Sequence, residues 1–84
     1  MFYVLTKDDC PWCDSVKELL TKRGSPFETF DYKSHKLIPM LMVRAGINTV
    51  PQVWVETPKG KTYIGGFENL EQYLEYADTG NEND

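Results

Sequence analysis

The first hydrophobic run, residues 2–6 (FYVLT), is short, aromatic and β-branched, which is the pattern of a buried strand. Beyond a polar stretch the period changes. Val16, Leu19 and Leu20 recur at helical spacing and Arg23 keeps the phase. Pro11 suits the first helical position, where its missing N–H has no partner to lose. Gly24, followed by Ser25 and Pro26, supplies the stop. A helix is therefore predicted over 11–23, with Cys10 near its N-cap. Residues 26–32 (PFETFDY) alternate imperfectly and predict a second strand. The following KSHKLIPMLMVRAG reads as a helix ending at Gly46. Pro39 conflicts with an uninterrupted helix, because its ring would clash with the carbonyl of residue 35. Either the helix begins near Pro39 or its first turn is irregular. Residues 50–56 and 61–65 are strand-like and bracket TPKG, a hairpin turn. Asn69 with Gln72 resembles a capping pair, and Leu70, Tyr73, Leu74 and Ala77 give the last helix an apolar stripe.

The predicted order is β-α-β-α-β-β-α. A βαβ start requires a parallel pair with a right-handed crossover, and the closing hairpin is antiparallel. An α/β fold follows, a small four-stranded mixed sheet with helices on both faces.

Composition narrows the function classes. Eighty-four residues make one domain, which at this size buries only about 60–65% of its unfolded surface. Residues 1–78 are expected to form that domain. Residues 79–84 read as a flexible acidic tail, since ADTGNEND carries Asp78, Glu82 and Asp84. A net charge of −4 disfavours binding to a phosphate backbone, which needs clustered Lys and Arg. No apolar run approaches the ~18 residues of a membrane span, and residues 1–5 lack the basic and hydrophobic regions of a secretory signal. The expectation is a chain that starts at Met1, stays in a reducing cytoplasm, works as a monomer, and binds neither membrane nor nucleic acid.

Candidate chemistry centres on the only two cysteines, Cys10 and Cys13, three apart in CPWC. As a staple the pair closes a tiny loop, worth only about 2 kcal/mol before strain is subtracted, and cytosolic disulfides are mostly reduced. A structural zinc site needs four ligands, and beyond the two thiols the chain offers one histidine, His35. His35 reads more simply as a solvated residue near a helix start, and a zinc shared between two chains has no other support. Redox exchange fits better. Both thiols fall on one face of a helix start, close enough for a disulfide to form and break. Free N–H groups and the helix dipole favour an anion at Cys10, so its thiol is expected to titrate below the usual value of about 8.5. Lys7 acts in the same direction. Asp8 and Asp9 oppose it, screened by solvent on an exposed loop. Cys13, inside the first turn, is shielded and less acidic. Cys10 is thus the attacking thiol and Cys13 the resolving one.

With TKDDCPWC, TVPQV and IGGFENL in that order, the chain resembles a glutaredoxin over residues 1 to about 77. Its brevity and the GGFENL wording, with Phe67, resemble the compact glutaredoxins of large tailed phages. The resemblance implies a thioredoxin-like fold, no tightly bound cofactor or metal, and glutathione as the reducing co-substrate. It implies that Cys10 is the nucleophile and Cys13 the resolving thiol, that Lys7 meets a glutathione carboxylate, and that Trp12 walls the groove. Thr49, Val50 and Pro51 would face the active site, with a cis Val50–Pro51 bond and the Val50 backbone offered to the cysteine part of glutathione. The glycines Gly65 and Gly66 let the chain approach a ligand closely, and a helix start offers free N–H groups to a carboxylate. By resemblance Gly66, Phe67, Glu68 and Asn69 would hold the γ-glutamyl carboxylate. Many relatives have Asp where Asn69 stands. Eleven residues before Thr49, the family commonly has Gln or Arg supporting the glycine end of glutathione. Here that position is Ile38, with His35, Lys36 or Arg44 as substitutes.

The implied activity is thiol–disulfide exchange on disulfide-containing or glutathionylated proteins, ribonucleotide reductase among the candidates. Two alternatives stand beside it: a redoxin reduced by thioredoxin reductase, and a carrier of an iron–sulfur cluster ligated by Cys10 and glutathione. Relatives that hold clusters tend to have a smaller residue at the position of Pro11. A pure interaction module leaves the exposed thiols unexplained.

Overall fold

A computed structural model describes residues 1–34, 37–47 and 49–78. The expected acidic tail, His35 and Lys36 lie outside the described residues. The elements are β1 (Phe2–Thr6), α1 (Pro11–Lys22), β2 (Phe27–Asp31), α2 (Leu37–Arg44), β3 (Gln52–Thr57), β4 (Gly60–Gly65) and α3 (Phe67–Asp78). The strands form one sheet in the order β2-β1-β3-β4. β1 runs parallel to β2, as the βαβ start demands, and antiparallel to β3, while β3 and β4 form the closing hairpin.

Alternation in the strands decides which residues meet the helices. Phe2 pairs with Val55 and Val4 with Val53, so all four point to one face. There they bury against Val16 and Leu20 of α1 and Leu70 and Leu74 of α3. Val4, Val16, Leu20, Val53 and Leu70 are fully buried, and each contributes roughly 1.5–3 kcal/mol of transfer free energy. This core fixes the N-terminus of α1 beside the start of β3. That junction is the site described below.

Three boundaries differ from expectation for local reasons. Pro39 lies within the first turn of α2, which starts at Leu37. The first four N–H groups of a helix have no intrahelical acceptor, so a proline there removes no bond. Helix α3 starts at Phe67, two residues before Asn69. Gly66 stands at the cap, and Asn69 Oδ1 accepts the Gly66 N–H at 3.3 Å. That is the return half of a capping box, with Asn69 at the third helical position rather than at the cap. Arg23, expected inside α1, is its C-cap.

Helices flank the four-stranded sheet as expected, and its second face carries a row of aromatic side chains. Tyr3 and Trp54 are half-buried there, and Phe30 and Tyr63 are exposed. Phe30 stacks on Tyr3 with centroids 6.0 Å apart, and Trp54 lies 5.4 Å from Tyr63. These cross-strand aromatic pairs pack side chain against side chain across that face. The short, eight-residue α2 reaches the Cys10 end of the fold, where Met42 shares a cleft with Lys7 and Tyr32.

On the same face the Tyr3 hydroxyl donates to Glu56 Oε1 at 2.8 Å, and this bond, with lesser help from partial desolvation and the Glu56 and Glu28 charges, raises the phenol above its ordinary pKa. The bond needs the protonated phenol. Its stabilisation is therefore fully present below pH ~10, the unfolded value, and is lost as the pH rises through the higher folded value. A difference-absorbance titration against Tyr3→Phe should show one tyrosine ionising later than a free phenol. Ionisation of Tyr3 at or below the free value would contradict the bond.

Candidate functional site

Cys10 is the N-cap of α1. Its backbone is extended, with φ −121° and ψ 97°, and Pro11 takes the first helical position. Asp9, just before it, sits at φ +53°. Aspartate enters this left-handed region more readily than most residues, and the turn aims the cysteine inward at the helix start. The Cys13 N–H donates to Cys10 Sγ at 3.1 Å. The sulfur thus occupies the place of an N-cap side-chain oxygen, satisfying one of the orphan donors of the first turn. Once the disulfide is reduced, that donor and the dipole both favour a thiolate at Cys10.

Cys10 and Cys13 are joined as a disulfide, with Cα atoms 5.2 Å apart, inside the range in which the bond forms without backbone movement. Their exposure differs. Cys10 is 7% exposed and Cys13 only 1%. A disulfide substrate approaching from solvent meets the Cys10 sulfur first. Among the described residues there is no group of three or more His, Cys, Asp or Glu that could hold a metal ion.

The loop before β3 closes the site from the other side. Cys10 Sγ lies 3.9 Å from the Val50 carbonyl oxygen, and the Val50–Pro51 peptide is cis. Gln52 holds this loop in place. Its side-chain amide donates to the Thr49 carbonyl at 2.9 Å and to Thr49 Oγ1 at 3.2 Å, and its Oε1 accepts from the Tyr63 hydroxyl. Gln52 is buried, and both of its side-chain polar atoms are hydrogen-bonded. Its part in positioning Thr49 was not read from the sequence, although it stands inside the TVPQV stretch. A polar residue opening a buried strand was the available signal.

Two clefts meet at the Thr49–Val50 loop, whose Val50 carbonyl oxygen lies 3.9 Å from Cys10 Sγ. One, of about 260 Å³, is lined by Trp12, Thr49, Val50, Pro51, Gly66, Phe67, Glu68 and Asn69. These are the residues expected to form the groove, Lys7 apart, and the fold brings them together. Trp12 is 60% exposed and its ring lies 5.4 Å from that of Phe67, so the two form an aromatic wall of this cleft. The floor is the start of α3. Leu70 N–H makes the first helical bond, to Gly66 O at 3.0 Å, which leaves the N–H groups of Phe67 and Glu68 free for an anion. The second cleft, of about 280 Å³, is lined by Lys7, Tyr32, Met42, Thr49 and Val50. Each alone is at or below the small end of ligand pockets, which run about 300–1,000 Å³. They share Thr49 and Val50, so one elongated ligand can span both and pass the Cys10 sulfur between them. Ile38 is half-buried and does not line the Lys7 cleft, and Arg44 is exposed.

Gly65 is required twice over. Its φ is +119°, and an added Cβ would come within 2.9 Å of Asn69 Oδ1, the atom that holds Gly66. Gly65→Ala is expected to destabilise the protein by about 2 kcal/mol or more. It should also weaken binding in the Phe67 cleft. Chemical denaturation checks the first effect, and a shift below about 0.5 kcal/mol would contradict it.

The family profile described as Glutaredoxin matches residues 3–57. A glutaredoxin of Pseudomonas aeruginosa is 38% identical over 63 residues, covering 73% of this chain and 69% of its own length. The glutaredoxin of enterobacteria phage T4 is 34% identical over 76 residues, covering 77% of this chain and 84% of its own. The hybrid peroxiredoxin hyPrx5 of Haemophilus influenzae is 36% identical over 71 residues, 84% of this chain, but the chain spans only 28% of that longer relative. Among solved structures, a glutaredoxin from Brucella melitensis superposes with a TM-score of 0.68 at 25% identity, covering 98% of this chain and 83% of its own.

Proposed function

The chain belongs to the glutaredoxin family of thiol–disulfide oxidoreductases, with a thioredoxin-like fold, and from that premise we propose that it reduces protein disulfides and glutathione mixed disulfides at the expense of glutathione. The observation that carries this reading is the position of Cys10 Sγ. It is capped by the Cys13 N–H and lies where the two clefts share Thr49 and Val50.

In the proposed reaction Cys10 thiolate attacks the glutathione sulfur of a mixed disulfide. The Cys10–glutathione bond forms, the old S–S bond breaks, and the substrate thiolate leaves and takes up a proton. A second glutathione thiolate attacks the glutathione sulfur on Cys10, releasing glutathione disulfide and regenerating the Cys10 thiolate. With a protein disulfide, Cys10 thiolate first attacks one sulfur, forming a Cys10–protein disulfide and releasing the other sulfur as a thiolate that takes up a proton; Cys13 then loses its proton and attacks Cys10. This frees the reduced protein and leaves the Cys10–Cys13 disulfide, which two glutathiones then reduce.

The residues divide the ligand between them. Lys7 takes the glycine carboxylate, and the Val50 backbone meets the cysteine part. The free N–H groups of Phe67 and Glu68 take the γ-glutamyl carboxylate. Asn69 supports that end indirectly by holding Gly66, and its side-chain NH₂ remains available as a donor. Trp12 packs over the peptide. Protein clients are those whose disulfide can reach a nearly closed Cys10, ribonucleotide reductase falling within that class. The proposed setting is a monomer in a reducing cytoplasm. The test is turnover of a glutathione mixed disulfide coupled to glutathione and its reductase, run beside thioredoxin reductase without glutathione.

A further inference from the structure

Two residues of the Lys7 cleft, Tyr32 and Met42, take no part in the reaction above, and of the two only Tyr32 carries a hydrogen-bond donor on its side chain. Tyr32 follows β2 directly, and its N–H is held by the Thr6 carbonyl at 2.8 Å, which sets it beside the end of β1, next to Lys7 in the chain. Its side chain lines the cleft with Lys7, Met42, Thr49 and Val50. The Lys33 ammonium lies 5.7 Å from the Tyr32 ring centroid, adding positive potential behind the ring. Among the described residues no acidic side chain lines the cleft. A cation, a phenol, a threonine and a thioether together suit a carboxylate carried on a short apolar stem.

Helix α2 supplies no second polar group for such a carboxylate among its described side chains in this cleft. Its contribution there is Met42, and Ile38 is apolar. A carboxylate has room for several donors, and Lys7 alone satisfies only part of that capacity.

We propose that Tyr32 is a substrate-binding residue: its hydroxyl donates to the carboxylate at the glycine end of glutathione beside Lys7, while Met42 packs against the glycine methylene. This rests on the glutathione reading above and assigns the polar contact that Ile38 does not make. A tyrosine suits the task because it presents a donor at the end of a rigid ring, with few rotamers to lose on binding.

The test compares wild type with Tyr32→Phe, which removes the hydroxyl alone, in turnover of a glutathione mixed disulfide. Each is assayed with glutathione and with its glycine monoethyl ester, in which that carboxylate is neutral. The expected loss with the natural mixed disulfide is about tenfold, in KM, the effect of one hydrogen bond to a charged group. With the ester the penalty should shrink to about threefold or less, since a bond to a neutral acceptor is weaker. An equal penalty on both substrates would mean that Tyr32 only props the loop, and a penalty below about twofold on the natural substrate would mean that it makes no contact. Either overturns the proposal for Tyr32 while leaving the glutathione reading intact. No wild-type turnover with glutathione would overturn both.

Discussion

Cys10→Ser is expected to abolish turnover with every disulfide substrate, by at least about 10⁴-fold, the scale on which removal of a nucleophile is felt. The chemistry requires a thiolate at this position, and a serine hydroxyl is neither ionised near neutral pH nor able to form a disulfide. The substitution separates chemistry from folding. Serine is itself a favoured N-cap residue, and the donor it would meet, the Cys13 N–H now 3.1 Å from Cys10 Sγ, belongs to the backbone and stays in place. Thermal unfolding of the variant should therefore match that of the reduced wild type to within a few degrees. Turnover above about 1% of wild type would show that Cys13 can attack on its own. That is hard to reconcile with a sulfur only 1% exposed.

Cys13→Ser is expected to split the activity. Reduction of protein disulfides should fall by at least about a hundredfold, because nothing remains to resolve the mixed disulfide between Cys10 and the substrate. Deglutathionylation should persist to within about tenfold, since free glutathione resolves that intermediate from solution. The geometry makes the split plausible in physical terms. The contact from position 13 that favours the Cys10 thiolate is a backbone N–H, which survives the change of side chain. Mass spectrometry of the stalled variant should find the substrate protein joined to Cys10. Equal loss of both activities would mean that Cys13 shapes the Cys10 site rather than resolving it.

The redox pair was legible in the sequence because its determinants are local. A proline at the first helical position, a cysteine before it and an apolar stripe after it place Cys10 at the N-cap, and the structure has it there. The element order was legible for the same reason, each strand and helix carrying its own period. What failed depended on partners distant in the chain. Gly66 and Asn69 are both credible caps by local pattern. The approach of Asn69 Oδ1 to the Gly66 N–H settles that α3 starts at Phe67. Local pattern did not reveal the ring contacts of Phe30 with Tyr3 and of Trp54 with Tyr63. Tyr32 looked like the last residue of a strand. Its place in the Lys7 cleft arises because β1 and β2 are parallel neighbours that end side by side. The groove residues Thr49, Val50, Pro51, Gly66, Phe67, Glu68 and Asn69 were named only through resemblance, since no rule of composition or spacing brings residue 12 against residue 67. The positive φ of Asp9 had no sequence signal beyond the tolerance of aspartate for that region.

The source of electrons separates a glutathione-dependent enzyme from a client of thioredoxin reductase. The direct measurement is NADPH consumption by the purified protein with a glutathione mixed disulfide, supplied in one arm with glutathione and glutathione reductase and in the other with thioredoxin reductase alone. The two clefts that share Thr49 and Val50 beside Cys10 predict saturable turnover in the first arm and none in the second. Turnover driven by thioredoxin reductase, with none from glutathione, would contradict the account.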